Sequence, residues 1–208
     1  VTFQYPSSDV DAGANDANFV LAKLDGATWT LPAGVVSNPN SLYVGNLTSF
    51  SEFQIGESNE CIVTIPDANF KNALLGNASI NTNSDLEIQC SDAAAFTGPM
   101  TLASIGISDL PGIAAFTALT SLDCSSNSLT SLDVSQNLAL TDLNCAINQI
   151  ASLDVSNNTN LTQLSCGGNL LTSLDVSQNT ALEGLGFSEN QVTSIDVSNN
   201  PALSILNC

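Results

Sequence analysis

From Leu119 onward the apolar positions follow a pattern that restarts every 21 residues. Leu119, Leu140, Leu161, Leu182 and Leu203 open five copies, and Leu122, Leu143, Leu164, Leu185 and Leu206 follow three residues later. Two residues further stand Cys124, Cys145, Cys166, Phe187 and Cys208; then Asn127, Asn148, Asn169 and Asn190; then Leu129, Ile150, Leu171 and Val192. A fixed period of this length marks a solenoid, in which each copy buries its apolar face only by stacking on the next. Alternate side chains of a strand share a face, so Leu122 and Cys124 are expected to point inward and Ser121, Asp123 and Ser125 outward.

The second half of each copy is as regular. Leu132, Leu153, Leu174 and Ile195 precede the Asp-Val pairs Asp133/Val134, Asp154/Val155, Asp175/Val176 and Asp196/Val197, and a second asparagine follows at Asn137, Asn158, Asn179 and Asn200. About ten residues cannot hold a long helix and its turns, so the returning side is expected to be short extended segments. Buried turns leave backbone groups in need of partners, and the amide of asparagine serves both donors and acceptors. Both asparagine columns therefore read as scaffolding. The aspartates either accept hydrogen bonds from neighbouring Ser hydroxyls and turn N–H groups or hold divalent cations between coils.

The pattern LxxLxCxxNxL resembles the leucine-rich repeat, and the resemblance implies a solenoid with one short strand per coil. Cysteine in the inward column invites a chemical reading, but Phe187 stands in the same column and can be neither ligand nor crosslink. The column asks for apolar volume, which free cysteine supplies. Cys61 and Cys90 fall outside this register and are the pair left over, so a disulfide between them is expected in an oxidising compartment.

Ahead of the repeats, "IPDANFKNALLGN" reads as a short capping helix. Pro66 ends the preceding strand, Asp67 is placed to N-cap, Phe70, Ala73 and Leu74 share a face, and Gly76 marks the stop. In "LPGIAAFTAL", Ile113, Phe116 and Leu119 lie at helical spacing, predicting a short helix in an irregular first coil. Between them, Asn81 to Asp92 follow the spacing of the calcium loop DxNxDGxIxxxE, with Asn81, Asn83, Asp85 and Asp92 as side-chain ligands and Glu87 offering its carbonyl. Leu86 stands where the turn wants glycine, and two of the ligands are neutral. Two readings follow, a weak calcium site or a polar turn stitched by its Asn side chains.

Residues 1–58 differ in kind: short β-rich runs such as "VTFQY", "FVLAKL", "ATWTL" and "SEFQIG" alternate with Asp, Asn, Gly and Pro turns. They predict the closing part of an antiparallel β-sandwich, with Trp29, Tyr43, Phe50 and Phe53 forming either its core or a sugar-binding face. The fold class expected is mainly β: a leucine-rich-repeat solenoid over 119–208, a small α-containing cap over 59–118, and a partial β-sandwich before it. Val1 opens inside a strand and Cys208 stops inside a repeat, so the chain is expected to be an excerpt of a longer protein.

Charge narrows the function. The 208 residues carry 20 acidic side chains against two bases, Lys23 and Lys71, a net charge of -18. Nucleic acid is an unsuitable partner, because phosphate binding needs clustered Lys and Arg, and no apolar run is long enough to insert into a membrane. Without histidine or arginine, neither a Ser-His-Asp nor a Cys-His centre can be assembled.

Taken together, "VTIPDANFKNALLGN", "GISDLPGIAAFTALTSLDCSSN" and the "LTSLDVSQN" units resemble the secreted leucine-rich-repeat proteins of flavobacteria, exported by the type IX route. The resemblance implies a non-enzymatic module at the cell surface or outside the cell, which binds a protein or a surface glycan or associates with copies of itself. The alternatives are a structural spacer or filament subunit, or an accessory region of a surface hydrolase. The outward positions expected to carry binding are Asp123, Asp142, Asn144, Gln163, Glu183 and Glu189.

Overall fold

The computed structural model describes residues 61–83 and 86–208 in full and, within residues 1–60, the backbone of six strands. The chain divides into two compact units, Val1–Glu60 and Cys61–Cys208.

In the first unit, β1 (Thr2–Gln4), β4 (Val35–Asn38) and β5 (Ser41–Val44) form one antiparallel sheet in the order β1-β5-β4. The strands β2 (Phe19–Asp25), β3 (Thr28–Thr30) and β6 (Glu52–Glu57) form another in the order β3-β2-β6. Trp29 pairs with Leu24, Tyr43 with Thr2, and Phe53 with Lys23, so the aromatic positions are divided between the two sheets. Phe50 lies outside the described residues, as do the side chains of the other three.

The second unit begins with a cap pinned from several sides. A disulfide joins Cys61 to Cys90, whose Cα atoms are 5.3 Å apart, and the N–H of Cys90 donates to the carbonyl of Cys61. In the chain-entropy account, closing a loop of 29 residues stabilises by about 3.5 kcal/mol. The helix α1 (Ala68–Leu75) starts at Asp67, whose Oδ1 accepts from the N–H groups of Asn69 and Phe70 at 3.0 and 2.9 Å. Phe70 and Leu74 are buried on its inner face. Gly76 ends it in right-handed geometry, φ -74°, so the stop does not use glycine's left-handed freedom. A second helix, α2 (Cys90–Ala95), turns the chain toward the repeats. Gly112 is demanded by the cap, since a Cβ there would stand 2.7 Å from Cγ1 of Ile65.

The solenoid itself is one parallel sheet of six strands, β7 (Pro99–Thr101), β8 (Ser121–Asp123), β9 (Asp142–Asn144), β10 (Gln163–Ser165), β11 (Gly184–Gly186) and β12 (Ile205–Asn207), each paired with its neighbours in chain order. The register puts Met100, Leu122, Leu143, Leu164, Leu185 and Leu206 side by side. Successive coils are thus 21 residues apart from β8 onward, and β7 adds a further strand ahead of the five copies. On the returning side the first coil makes a single 3₁₀ turn at Ile113–Ala115, with Ile113, Phe116 and Leu119 buried. Phe116 meets Phe96 edge to face at 6.3 Å, joining the cap to the coil stack.

The core is one continuous column of Leu, Val and Ile with Cys124, Cys145 and Cys166 fully buried among them and Phe187 nearly so. Burial pushes the Cys124 and Cys166 thiols up to about 12 and the Cys145 thiol well above its ordinary value, with the charge of Asp123 adding to the effect on Cys124. These thiols remain protonated and unreactive in the folded chain. Cys208, at the end of the same column, is exposed.

Candidate binding surface

Each coil's turn after the strand is closed by its first asparagine. Asn148 Nδ2 donates to the carbonyls of Cys124 and Cys145 at 3.1 Å, and its Oδ1 accepts from the N–H of Leu129 at 3.0 Å. Asn127, Asn169 and Asn190 repeat this arrangement, receiving Ile107, Ile150 and Leu171. The second column is built differently. Asn158 Nδ2 donates to the carbonyls of Val134 and Asn137, while the carboxamide oxygens of Asn137, Asn158, Asn179 and Asn200 meet no donor among the described residues.

The aspartate column resolves into four identical turns. Oδ1 of Asp133, Asp154, Asp175 and Asp196 accepts from the N–H of Ser135, Ser156, Ser177 and Ser198, each at 2.9 Å. Bonds from the serine hydroxyls and amides hold all four carboxyls below the usual carboxylate range. The repulsion expected from stacked like charges is small at this exposure.

Two columns of outward side chains cross the sheet. One runs Thr101, Asp123, Asn144, Ser165, Gly186 and Asn207; the other runs Pro99, Ser121, Asp142, Gln163, Gly184 and Ile205. The sequence-derived residues Asp123 and Asn144 are therefore neighbours in one column, and Asp142 and Gln163 in the other. Glu183 immediately precedes β11 and Glu189 lies beyond it, both exposed. Asp123 accepts from the N–H of Ser125 at 3.0 Å, Asn144 from that of Ala146 at 3.2 Å, and Asp142 from the hydroxyl of Thr141 at 2.7 Å. These local bonds restrain the three side chains, each of which is half-buried. Side-chain size falls along the first column from Asn144 through Ser165 to Gly186, whereas the second grows from Ser121 through Asp142 to Gln163 before Gly184. The Gln163 side chain lies across Gly184 where a Cβ would go, whereas a Cβ at Gly186 would meet nothing closer than 3.9 Å. The face is thus acidic at β8 and β9, while at β11 Gly184 is buried beneath the Gln163 side chain and Gly186 is half-buried.

Beyond the strands the chain turns through a left-handed residue in each coil: Ser104, Ser126, Ile147, Gly168 and Glu189, with φ between 55° and 63°. Ile147 is a β-branched residue in this conformation and is 62% exposed, a combination that costs on the order of 1–3 kcal/mol. The sequence pattern places Glu189 of this column among the outward positions, but only Gly168 signals the left-handed conformation by residue type.

In the loop read as a calcium site, the side chains of Asn81, Glu87 and Asp92 are engaged within the cap. Asn81 is buried and donates to the carbonyl of Leu75 at 3.3 Å, and Thr82 donates its hydroxyl to Asp92 at 2.9 Å. Glu87 pairs with Lys71 at 2.8 Å, Asn83 is exposed, and Asp85 lies outside the described residues. Among the described residues no three Cys, Asp or Glu side chains come together as a metal-holding group.

Strand, asparagine turn and short return, stacked at 21-residue spacing, define a leucine-rich-repeat β-solenoid of the type found in internalins. The functional domain of InlJ from Listeria monocytogenes, described as including a cysteine ladder, is similar at 41% identity with a TM-score of 0.64, the match covering 69% of this chain and 31% of that one. The internalin InlF of Listeria monocytogenes 4b F2365 shares the fold, with a TM-score of 0.63 at 19% identity over 71% of this chain and 45% of its own. This chain therefore spans less than half the length of either. No family model and no curated protein matches it. Among the described residues no helix is long and apolar enough to cross a membrane.

Proposed function

We propose that the chain is a non-enzymatic binding module of the adhesion type, working outside the cell or at its surface. The observation that carries this reading is the outward face of the six-stranded sheet. It offers Asp123, Asp142, Asn144 and Gln163 side by side on a rigid ladder, with Glu183 and Glu189 at its edge. Likeness to internalins supports a protein ligand; a surface glycan is the alternative ligand class for the same polar face. A basic partner surface suits the face, because charge of one sign steers encounter and sets register. Flavobacterial origin and type IX export are part of the same proposal, supported by the cap and repeat sequences alone.

A second reading, a spacer or filament subunit, is favoured by the small polar character of the outward columns, which hold no aromatic side chain of the kind that anchors tight interfaces. Cells or beads displaying the chain decide between the two. The triple variant Asp123→Ala, Asp142→Ala, Glu183→Ala is expected to abolish ligand-dependent adhesion while leaving far-UV circular dichroism unchanged. Intact adhesion in that variant would overturn the binding reading, and shortened assemblies would favour the spacer.

A further inference from the structure

The returning side of the solenoid carries a cleft of about 240 Å³ where the irregular first coil meets the next. Its apolar lining is Leu110, Pro111, Ile113 and Leu132, and two carboxylates stand in it, Asp109 from one coil and Asp133 from the following one. Leu110, Ile113 and Leu132 are buried, while both aspartates are exposed. The cleft follows from the local sequence. In register with the later coils, Asp109 replaces a column of serines (Ser131, Ser152, Ser173), and Pro111 replaces the column of aspartates that begins at Asp133. An acidic group is thereby moved two residues back, and a rigid apolar ring is set in its old place.

Each carboxylate is half engaged. Oδ1 of Asp109 accepts from the N–H of Leu110 at 2.9 Å, and Oδ1 of Asp133 from that of Ser135 at 2.9 Å. The Ser135 hydroxyl also bonds Asp133, and because a carboxylate has about four acceptor sites, capacity remains on both groups. The chain has little of its own to offer them. Among the described residues of the second unit the one base, Lys71, is paired with Glu87.

We propose that this cleft is a docking site for an arginine presented by a peptide segment of a protein partner. Arginine meets both halves of the chemistry. Its aliphatic stem lies on apolar surface while the head stays polar, and its planar, weakly hydrated guanidinium has five donors with which to reach carboxylates supplied by two different walls. The net charge of -18 favours the approach of such a segment. The site is on the side opposite the strand face and goes beyond the adhesion reading, which can fail without it.

The test is an NMR titration of the full 208-residue chain with the peptide acetyl-Gly-Arg-Gly-amide, with the citrulline peptide as its uncharged isostere. The expected result is saturable shifts of the backbone amides of 109–114 and 131–135, absent with citrulline. Asp109→Asn with Asp133→Asn keeps both turn acceptors and removes both charges, and is expected to weaken the arginine peptide at least tenfold. Shifts spread evenly over Asp154, Asp175 and Asp196, an equal response to citrulline, or undiminished binding by the double variant would each overturn the proposal.

Discussion

Asp67 is the residue on which the cap's attachment to the solenoid turns, and its replacement by alanine makes a quantitative test. Besides N-capping α1, its second oxygen, Oδ2, accepts from the N–H and the hydroxyl of Ser108, both at 2.9 Å, in the first coil. Asn69 reinforces the link by donating to the carbonyl of Gly106 at 2.9 Å. Loss of the cap costs about 1 kcal/mol. The charge-assisted bonds to Ser108, discounted for their exposure, add about 1–2 kcal/mol. A total of about 2–3 kcal/mol corresponds to a fall of roughly 5–10 °C in the thermal midpoint of a unit of this size. Amide hydrogen exchange localises the effect: Phe70 and Ser108 should lose protection while Leu164 and Leu185 keep theirs. Burial opposes ionisation of Asp67, but the bonds from Phe70, Ser108 and Asn69 outweigh it and hold its pKa below the usual carboxylate value. A carboxyl lowered on folding contributes stability above its unfolded pKa of about 3.9 and loses it as pH falls through the lower folded value. The gap between Asp67→Ala and the parent should therefore close on acidification below about pH 4. A variant as stable as the parent at pH 7, or a gap that persists at pH 2, would refute this account of the cap.

The two asparagine columns should respond differently to truncation. Asn148→Ala strands the buried N–H of Leu129 and should cost about 3 kcal/mol in urea unfolding, whereas Asn158→Ala removes an oxygen that had no protein donor and should cost about half as much. With a thiol reagent on the native chain, Cys208 should react at once, and Cys124, Cys145 and Cys166 only on unfolding; rapid labelling of all four thiols would contradict their burial. Chelation with EDTA should leave the thermal midpoint unchanged, since the side chains of Asn81 and Asp92 already have protein partners; a drop of several degrees would restore calcium to that loop.

Much of the solenoid was legible because its columns are side-chain properties: Leu122, Cys124 and Asn127 announce inward, inward and turn by type and spacing. Phe187 identified the cysteine column as core, and the burial of Cys124, Cys145 and Cys166 agrees. What escaped were properties carried by backbone or by exceptions. Strand β7 went unnoticed because Met100 stands for leucine and its coil is 22 residues long rather than 21. Strand β4 was hidden by a run of only two valines between Pro-Ala-Gly and Asn-Pro turns. The left-handed column at Ser126, Ile147, Gly168 and Glu189 has no common residue type, so composition could not reveal it. The acidic cleft depends on two coils being out of step, which only their stacking makes visible.

The first asparagine column also gives the stack a direction. Asn148 satisfies the N–H of Leu129 and the carbonyl of Cys124, both in the coil before its own, and Asn169 and Asn190 do likewise. Each coil thus completes its predecessor. A pull on the carboxy-terminal end would peel coils singly, each freeing 21 residues, or about 70 Å of contour. The disulfide at Cys61–Cys90 keeps 29 residues of the cap from extending. Under load the molecule would behave as a ratcheted tether that lengthens in equal increments and stops at a covalent catch.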